Sequence, residues 1–138
     1  MKAIWFVVLA GCASMKSGET LVESLRAYND GVRWERFAVA AVHVPPKERS
    51  AFVDEADERA KDIKITDYEV LNVDPKDDRV ASVQIKLSWY RASEGLVRET
   101  QALQTWEKHG KTWWMVDEER IKGHEMPGLQ EPLSKPEE

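Results

Sequence analysis

The sequence predicts an α+β domain in which N-terminal helices are followed by an antiparallel sheet. Three observations lead to this fold class. Apolar residues recur at helical spacing as far as residue 63, and beyond it apolar and polar residues alternate with the period of a β-strand. Short turn sequences then separate four long alternating segments, and short turns join antiparallel neighbours in a sheet.

The first predicted helix begins at a capping box formed by Thr20 and Glu23. In such a box the threonine oxygen accepts the amide three residues on, and the glutamate reaches back to the threonine amide. Leu25 and Tyr28 follow on one face at helical spacing. Gly31 is a position at which this helix can end or bend.

Two more helices are predicted before the sheet. The second covers residues 35–42 and ends before Pro45, because the residue that precedes a proline is pushed out of the helical region. Pro46 suits the first turn of the third helix. The charged residues of segment 54–61 are interpreted as a solvated face. The buried side of the third helix carries small and apolar residues: Phe52, Ala56, Ala60 and Ile63.

Four strands are predicted over residues 63–74, 79–92, 96–107 and 112–119. Strands of this length stay soluble only if the sheet twists strongly and the helices cover one face. After residue 121 the composition changes to glycine, proline and acidic residues, which predicts a disordered acidic tail over residues 122–138.

Several short phrases stand in the same order as these elements. They are LRAYND (25–30) with Trp34, ITDYEV (65–70), SWYR (88–91), QTWE (104–107), and Gly110 with Trp113 and Trp114. Together with the order of elements, they resemble bacterial envelope members of the nuclear transport factor 2-like superfamily. The resemblance implies a cone-shaped domain, with helices packed on a strongly curved four-stranded antiparallel meander. It implies little about activity, because this fold hosts many unrelated functions.

The resemblance also implies a pocket between the concave face of the sheet and the helices. The candidate pocket residues are aromatic or amide side chains: Tyr28, Trp34, Tyr68, Trp89, Tyr90, Gln104, Trp106 and Trp114. Tyr28 and the tryptophans among them are interpreted as core residues with satisfied polar edges. Catalytic members of the superfamily need a general base in the pocket. No catalytic set is predicted, and Asp67 and Asp117 are the candidates for a base.

The histidines do not suggest a metal site. His43, His109 and His124 stand in a segment before a proline, a turn and the tail, and no pair has the spacing of metal ligands. The sequence has neither a nucleophile elbow nor a glycine-rich phosphate loop. No metal and no cofactor is therefore predicted, apart from a covalent lipid.

The chain begins with a basic start, an apolar run over residues 3–8, and the phrase Leu9-Ala10-Gly11-Cys12. Such a start is typical of a secretory signal, and the run is too short for a membrane span of ~20 residues. The phrase resembles the lipobox of bacterial lipoproteins. That resemblance implies cleavage after Gly11, a diacylglyceryl thioether on Cys12 and usually an acylated amino terminus.

These observations predict a domain scheme and a location. The scheme has a signal peptide over residues 1–11, a lipidated tether over 12–19, a domain over 20–121 and the tail. Two lipid chains give stable anchoring. Because the residue after the cysteine is Ala13 and not aspartate, the resemblance favours the outer membrane, with the domain facing the periplasm.

Composition limits the partners. The chain of 138 residues has a formal net charge of −5 and one cysteine. An acidic chain without a basic cluster argues against nucleic acid. Since the cysteine is assigned to the lipid, no disulfide is expected within the domain.

The sequence therefore predicts a lipid-anchored envelope protein with a non-catalytic binding or scaffolding domain, which pairs with a second copy through its sheet face or with another envelope protein. The alternatives are a small isomerase or dehydratase that uses Asp67 or Asp117, and an accessory subunit of an envelope complex. An enclosed cavity of at least ~300 Å³ that contains a desolvated carboxylate opposite a tyrosine would favour the enzyme. A cone filled by tryptophan and leucine would exclude it. A uniformly charged outer sheet face would exclude the homodimer.

Overall fold

The computed structural model describes residues 19–132. The predicted lipobox at Cys12, the cleavage after Gly11 and the last six residues lie outside the described residues. The helices are α1 (Leu21–Arg33), α2 (Phe37–Ala40) and α3 (Arg49–Arg59), with 3₁₀ turns at Ala41–His43 and Pro46–Glu48. The strands are β1 (Ile63–Pro75), β2 (Val80–Arg91), β3 (Val97–His109) and β4 (Thr112–Gly123). Helices followed by a four-stranded antiparallel sheet confirm the predicted α+β class.

Helix α1 begins at the predicted capping box. The Thr20 hydroxyl accepts the Glu23 amide at 3.2 Å, and the Glu23 carboxylate accepts the Thr20 amide at 3.4 Å. Gly31 does not end the helix, which continues to Arg33. Gly31 instead allows α1 and α2 to approach closely, since a Cβ placed on it would lie 3.0 Å from the Cβ of Ala40.

The second and third helices are shorter than predicted. Helix α2 gives way to a 3₁₀ turn after Ala40, and Val44 is extended because Pro45 follows it. Pro46 begins a 3₁₀ turn and α3 starts at Arg49. Residues 19–132 include no helix that is long and apolar enough to cross a membrane.

The sheet has the order β1-β2-β3-β4, with β1 and β4 at its edges. The first three strands lie within two residues of their predicted bounds, whereas β4 extends to Gly123, beyond its predicted end at residue 119. The inner face, which packs under the helices, is mostly apolar along β2 and β3. Its buried apolar side chains are Ala81, Val83, Ile85, Leu87, Trp89, Ala102 and Trp106, and buried Thr100 and Gln104 are the polar side chains on the same face of β3.

The predicted core role of the aromatic residues holds only in part. Tyr28, Trp89 and Trp106 are buried as predicted. The prediction is wrong for Trp34, which caps α1 and is 61% exposed, with the Arg33 guanidinium 4.1 Å from its ring centre. Trp114 is half-buried and stacks on His109 at 4.3 Å.

Residues 124–131, which we call the C-terminal strap, fold back onto the domain. Met126 is 5% exposed and belongs to the core. The Arg120 amide donates to the Gln130 carbonyl at 2.7 Å, and the Arg120 Nε donates to the Glu131 carboxylate at 2.8 Å. Disorder is predicted from residue 122 onward, and the structure differs over residues 122–132, because the burial of Met126 and the hydrogen bonds from Arg120 to Gln130 and Glu131 hold them.

Candidate functional site

A cleft of about 350 Å³ opens between α3, β4 and the C-terminal strap. Helix α1 contributes Tyr28 to its floor, α3 contributes Phe52 and Arg59, β4 contributes Glu118, and the strap contributes Gly128. We call this space the Glu118 cleft. It lies on the helix-covered side of the sheet, where the resemblance implies a pocket.

An irregularity in β4 turns Glu118 toward this cleft. Met115 pairs with Trp106, but the next pairs are Asp117 with Thr105 and Glu118 with Gln104. The extra residue, Val116, forms a β-bulge and reverses the alternation beyond it. Glu118 therefore shares the inner face with Gln104, while Asp117 pairs with an outer-face residue at the rim of the cleft.

A buried amide network fixes the Glu118 carboxylate. The Gln104 Nε2 donates to Glu118 Oε2 at 2.6 Å and to Asn29 Oδ1 at 2.9 Å. Trp106 Nε1 donates to Gln104 Oε1 at 3.1 Å, and Asn29 Nδ2 donates to the Leu25 carbonyl at 2.8 Å. Because each of these buried polar groups has a partner, the network holds a single arrangement.

Burial controls the protonation of two groups in the cleft. Desolvation raises the pKa of Glu118 above its usual value, and the negative charge of Asp117 adds to this, while the Gln104 hydrogen bond and the Arg59 charge oppose it. Burial also raises the pKa of Tyr28 well above its usual value, with a further contribution from Glu118. The cleft thus holds a desolvated carboxyl group near a neutral tyrosine.

Two hydrogen-bond donors at the floor have no partner among residues 19–132. The Tyr28 side chain is 3% exposed, and its hydroxyl makes no hydrogen bond within the described part of the chain. Arg59 is half-buried, and its guanidinium makes no hydrogen bond or ion pair with any residue of 19–132. Both donors remain available to a ligand.

The strap presses against Arg59. Gly128 has a φ of 84°, and a Cβ built on it would lie 2.7 Å from the Arg59 Nη1. The positive φ favours glycine, and a methyl group at this position would displace the flexible Arg59 side chain. The strap therefore limits where the guanidinium can move.

The other sequence candidates lie outside the cleft. Tyr68 donates its hydroxyl to Asp30 at 2.7 Å, and burial together with this contact raises the pKa of Tyr68 to about 12. Asp67 is exposed and pairs with Ser88, an outer-face position of β2. Tyr90 is half-buried next to that face. Of the predicted pocket residues, only Tyr28 lines the cleft directly, while Gln104 and Trp106 support it from beneath.

The sequence pattern does not identify Glu118 and Arg59 as residues of the site. Strict alternation from Met115 leads to Asp117, and Val116 carries no side-chain signal of a bulge. Arg59 stands in the charged run that is interpreted as a solvated face. The missed signal is the row of three acids from Asp117 to Glu119, within which alternation leaves the inward residue undecided.

The buried histidine makes local contacts. His43 Nδ1 lies 3.2 Å from the Trp113 carbonyl oxygen, and its Nε2 lies 3.5 Å from the Glu19 carboxylate. In the described range, no group of three or more histidine, cysteine, aspartate or glutamate side chains is arranged to hold a metal ion.

Comparison with solved structures identifies the fold. A SEC-C motif containing protein from Rhodopseudomonas palustris, solved in solution, matches with a TM-score of 0.62 and 14% identity over 72% of this chain and 77% of its own. A ketosteroid isomerase-like protein from Erwinia carotovora atroseptica matches with a TM-score of 0.59 and 12% identity over 73% of this chain and 93% of its own. No protein-family model and no curated protein matches the chain.

At these identities the likeness shows the fold alone. The ketosteroid isomerase-like neighbour supports the fold that the sequence predicts, with helices followed by a four-stranded antiparallel sheet. The fold places a pocket, but the chemistry of that pocket has to be argued from its own residues.

Proposed function

We propose that this chain is a lipid-anchored envelope protein whose domain binds a small molecule in the Glu118 cleft without transforming it. The observation that carries the proposal is the cleft itself. Its volume of about 350 Å³ falls within the ~300–1,000 Å³ typical of small-molecule pockets. Its floor combines the unpartnered donors of Tyr28 and Arg59 with a carboxyl group held by a satisfied network.

The anchor of this proposal is Cys12, in the phrase that resembles a lipobox. Glu19 is the seventh residue after Cys12, so an extended tether reaches at most ~25 Å. The chain is held against the domain at Glu19, because the Glu19 carboxylate accepts a hydrogen bond from the Ser24 hydroxyl at 3.1 Å and lies near His43. Outer-membrane attachment with the domain in the periplasm is part of the proposal.

A homodimer through the outer sheet face is the proposed partner arrangement, and another envelope protein is the alternative. The centre of that face is uncharged at Ser82, Gln84 and Thr105, while Lys86 and Glu69 form an ion pair nearer β1. This mixture supports pairing, because a uniformly charged face would repel its copy. Strong curvature of the sheet is also proposed, and the bulges in β1 and β4 support it.

A second candidate function is an isomerase or dehydratase activity with Glu118 as the general acid–base group. The raised pKa of Glu118, near Tyr28 in the same cleft, favours it. Asp67 is on the exposed outer face and Asp117 is at the rim, so Glu118 takes their place in this alternative. Turnover that is lost in Glu118→Gln but kept in Asp117→Asn would establish the enzyme.

The cleft is tested by native mass spectrometry of the full acylated chain extracted from its membrane. We expect a bound small molecule in the wild-type protein and its loss in Ala51→Trp, because Ala51 lines the cleft at an exposed helical position. The matched control is Ala38→Trp, which adds the same ring at an exposed position of α2. Equal retention by both variants would contradict the cleft as the site.

The anchor is tested separately by Cys12→Ser and membrane fractionation. We expect the variant to leave the membrane fraction, since the thiol that receives the lipid is gone. Unchanged membrane association would contradict the lipid anchor and would leave the cleft proposal standing.

A further inference from the structure

We infer that the ligand of the Glu118 cleft is a small carboxylate, whose carboxylate group is bound by the guanidinium of Arg59 and the hydroxyl of Tyr28. This inference rests on the proposed binding function and names the chemical class of its ligand. It follows from the donors that the protein leaves unpaired and from their surroundings.

Arg59 is the main recognition group. It is half-buried on α3, lines the cleft, and has no hydrogen-bonded or ion-paired partner among residues 19–132. A guanidinium stays charged at all physiological pH values, and its planar fork matches a carboxylate through two parallel hydrogen bonds. Glu118 attracts this charge without a hydrogen bond to it, so the N–H donors of the guanidinium are open to an anionic ligand.

Tyr28 supplies a second donor to the same place. Its hydroxyl has no partner in the described structure although the side chain is 3% exposed. The raised pKa keeps this hydroxyl protonated at neutral pH, so it donates. Tyr28, Arg59 and Glu118 line the same cleft, so the three groups lie in one neighbourhood.

The C-terminal strap restricts the direction in which the Arg59 side chain can point. Because the backbone at Gly128 lies against the Arg59 guanidinium, the side chain cannot swing toward the strap without moving it. The strap is fixed in turn by buried Met126 and by the contact between Arg120 and Glu131. A recognition group that is held in place before binding loses less entropy when the ligand arrives.

The carboxylates around the cleft do not reverse this preference. Glu48 and Glu55 are exposed at its mouth, where water and salt screen their charges. Asp117 is paired in register with Thr105 of the outer face. Glu118 is the acid at depth, where the Gln104 amide hydrogen-bonds to it and the positive charge of Arg59 faces it.

The test uses three probes of equal size and different charge on the purified full chain: 3-phenylpropanoate, 3-phenylpropan-1-ol and 3-phenylpropylamine. Binding is measured at neutral pH by calorimetry. We expect the carboxylate to bind about tenfold or more tightly than the alcohol, and the amine to bind most weakly. In Arg59→Gln the carboxylate and the alcohol should bind alike, within about twofold.

The matched control is Arg26→Gln, which removes an exposed arginine of α1 and should keep the preference. Tyr28→Phe should weaken carboxylate binding by about threefold to tenfold. Melting curves show that each variant is folded, and Arg59→Gln leaves no hydrogen-bonded partner unpaired among residues 19–132.

Equal binding of the probes, preference for the amine, or loss of the preference in Arg26→Gln as well would overturn the carboxylate. If the probes still bind and Ala51→Trp abolishes that binding, the proposed function stands without this ligand class. Binding of none of the probes also overturns the carboxylate. Native mass spectrometry of the full acylated chain then decides independently whether the proposed binding function also fails.

Discussion

The middle of the sheet and the end of β4 are both β-strand, but the first forms the apolar core and the second lines the Glu118 cleft. Along β2 the inner side chains alternate without interruption from Ala81 to Trp89, and each is buried. In β4 the bulge at Val116 breaks the alternation and turns Glu118 inward. Regular alternation gives an apolar core, and the β-bulge at Val116 gives a polar cleft beside it. The four changes below separate these two regions.

The largest effect should follow Trp89→Ala in the regular region. Trp89 is fully buried, and its Nε1 donates to the Thr100 hydroxyl at 2.8 Å. We expect a loss of about 3–5 kcal/mol in the free energy of unfolding, from lost burial and the cavity left behind. Urea unfolding measures it. Trp114→Ala on the half-buried outer face is the control, and an equal loss there would contradict the difference between the faces.

The next effect should follow Gln104→Leu, which cuts the network between the two regions. Trp106 Nε1 and the Glu118 carboxylate each lose a hydrogen bond. We expect a loss of about 1–3 kcal/mol in unfolding free energy, because buried polar groups are left unpaired. Gln101→Leu, at an outer-face position of the same strand, should be nearly neutral. Equal stability of the two variants would show that the network contributes nothing.

A smaller effect should follow Gly128→Ala in the strap. The alanine meets a positive φ and the Arg59 guanidinium, and the backbone strain alone costs about 1–2 kcal/mol. Gly95→Ala is the control, since Gly95 has a φ of 73° but open space where its Cβ would lie. Thermal melting should show a larger loss for Gly128→Ala. The same loss in both would mean that the strap does not press on Arg59.

The smallest effect is the pH dependence that Glu118 gives to stability. Its pKa is raised in the folded protein by burial, with Tyr28, Asp117, Gln104 and Arg59 facing it. The folded state therefore binds this proton more readily, so the group favours folding below its unfolded pKa. That contribution is lost as the pH rises through the raised pKa.

Glu118→Gln should remove this dependence, so that its stability gains relative to the wild type as the pH rises through that window. Unfolding free energies at a series of pH values measure the change. Asp117→Asn at the rim is the control. A difference between Glu118→Gln and the wild type that does not change with pH would contradict the desolvated carboxyl.

The sequence predicts the regular parts of the molecule well for a physical reason. The capping box at Thr20 and the alternation of β2 are local patterns, and each is satisfied by neighbours along the chain. The cleft depends instead on a shift of one residue at Val116. Within the three consecutive acids from Asp117 to Glu119, such a shift changes the inward residue without changing any visible pattern.

The strap escapes prediction for a related reason. One apolar residue, Met126, stands among glycines and prolines, and its burial depends on a surface made by distant strands. The partner of Arg120 is Glu131, and nothing local links the two. Contacts that connect distant parts of a chain leave no periodic signal, and the cleft is made from such contacts.

The bulge in β4 places the desolvated carboxyl group of Glu118 in the cleft that we propose as a ligand site. The most direct measurement is the titration of the Glu118 side-chain carboxyl by ¹³C NMR on the full chain, assigned with Glu118→Gln. We predict a midpoint above the ordinary glutamate range that moves when 3-phenylpropanoate is added. A midpoint at the ordinary glutamate value that does not respond to the probe would contradict the account.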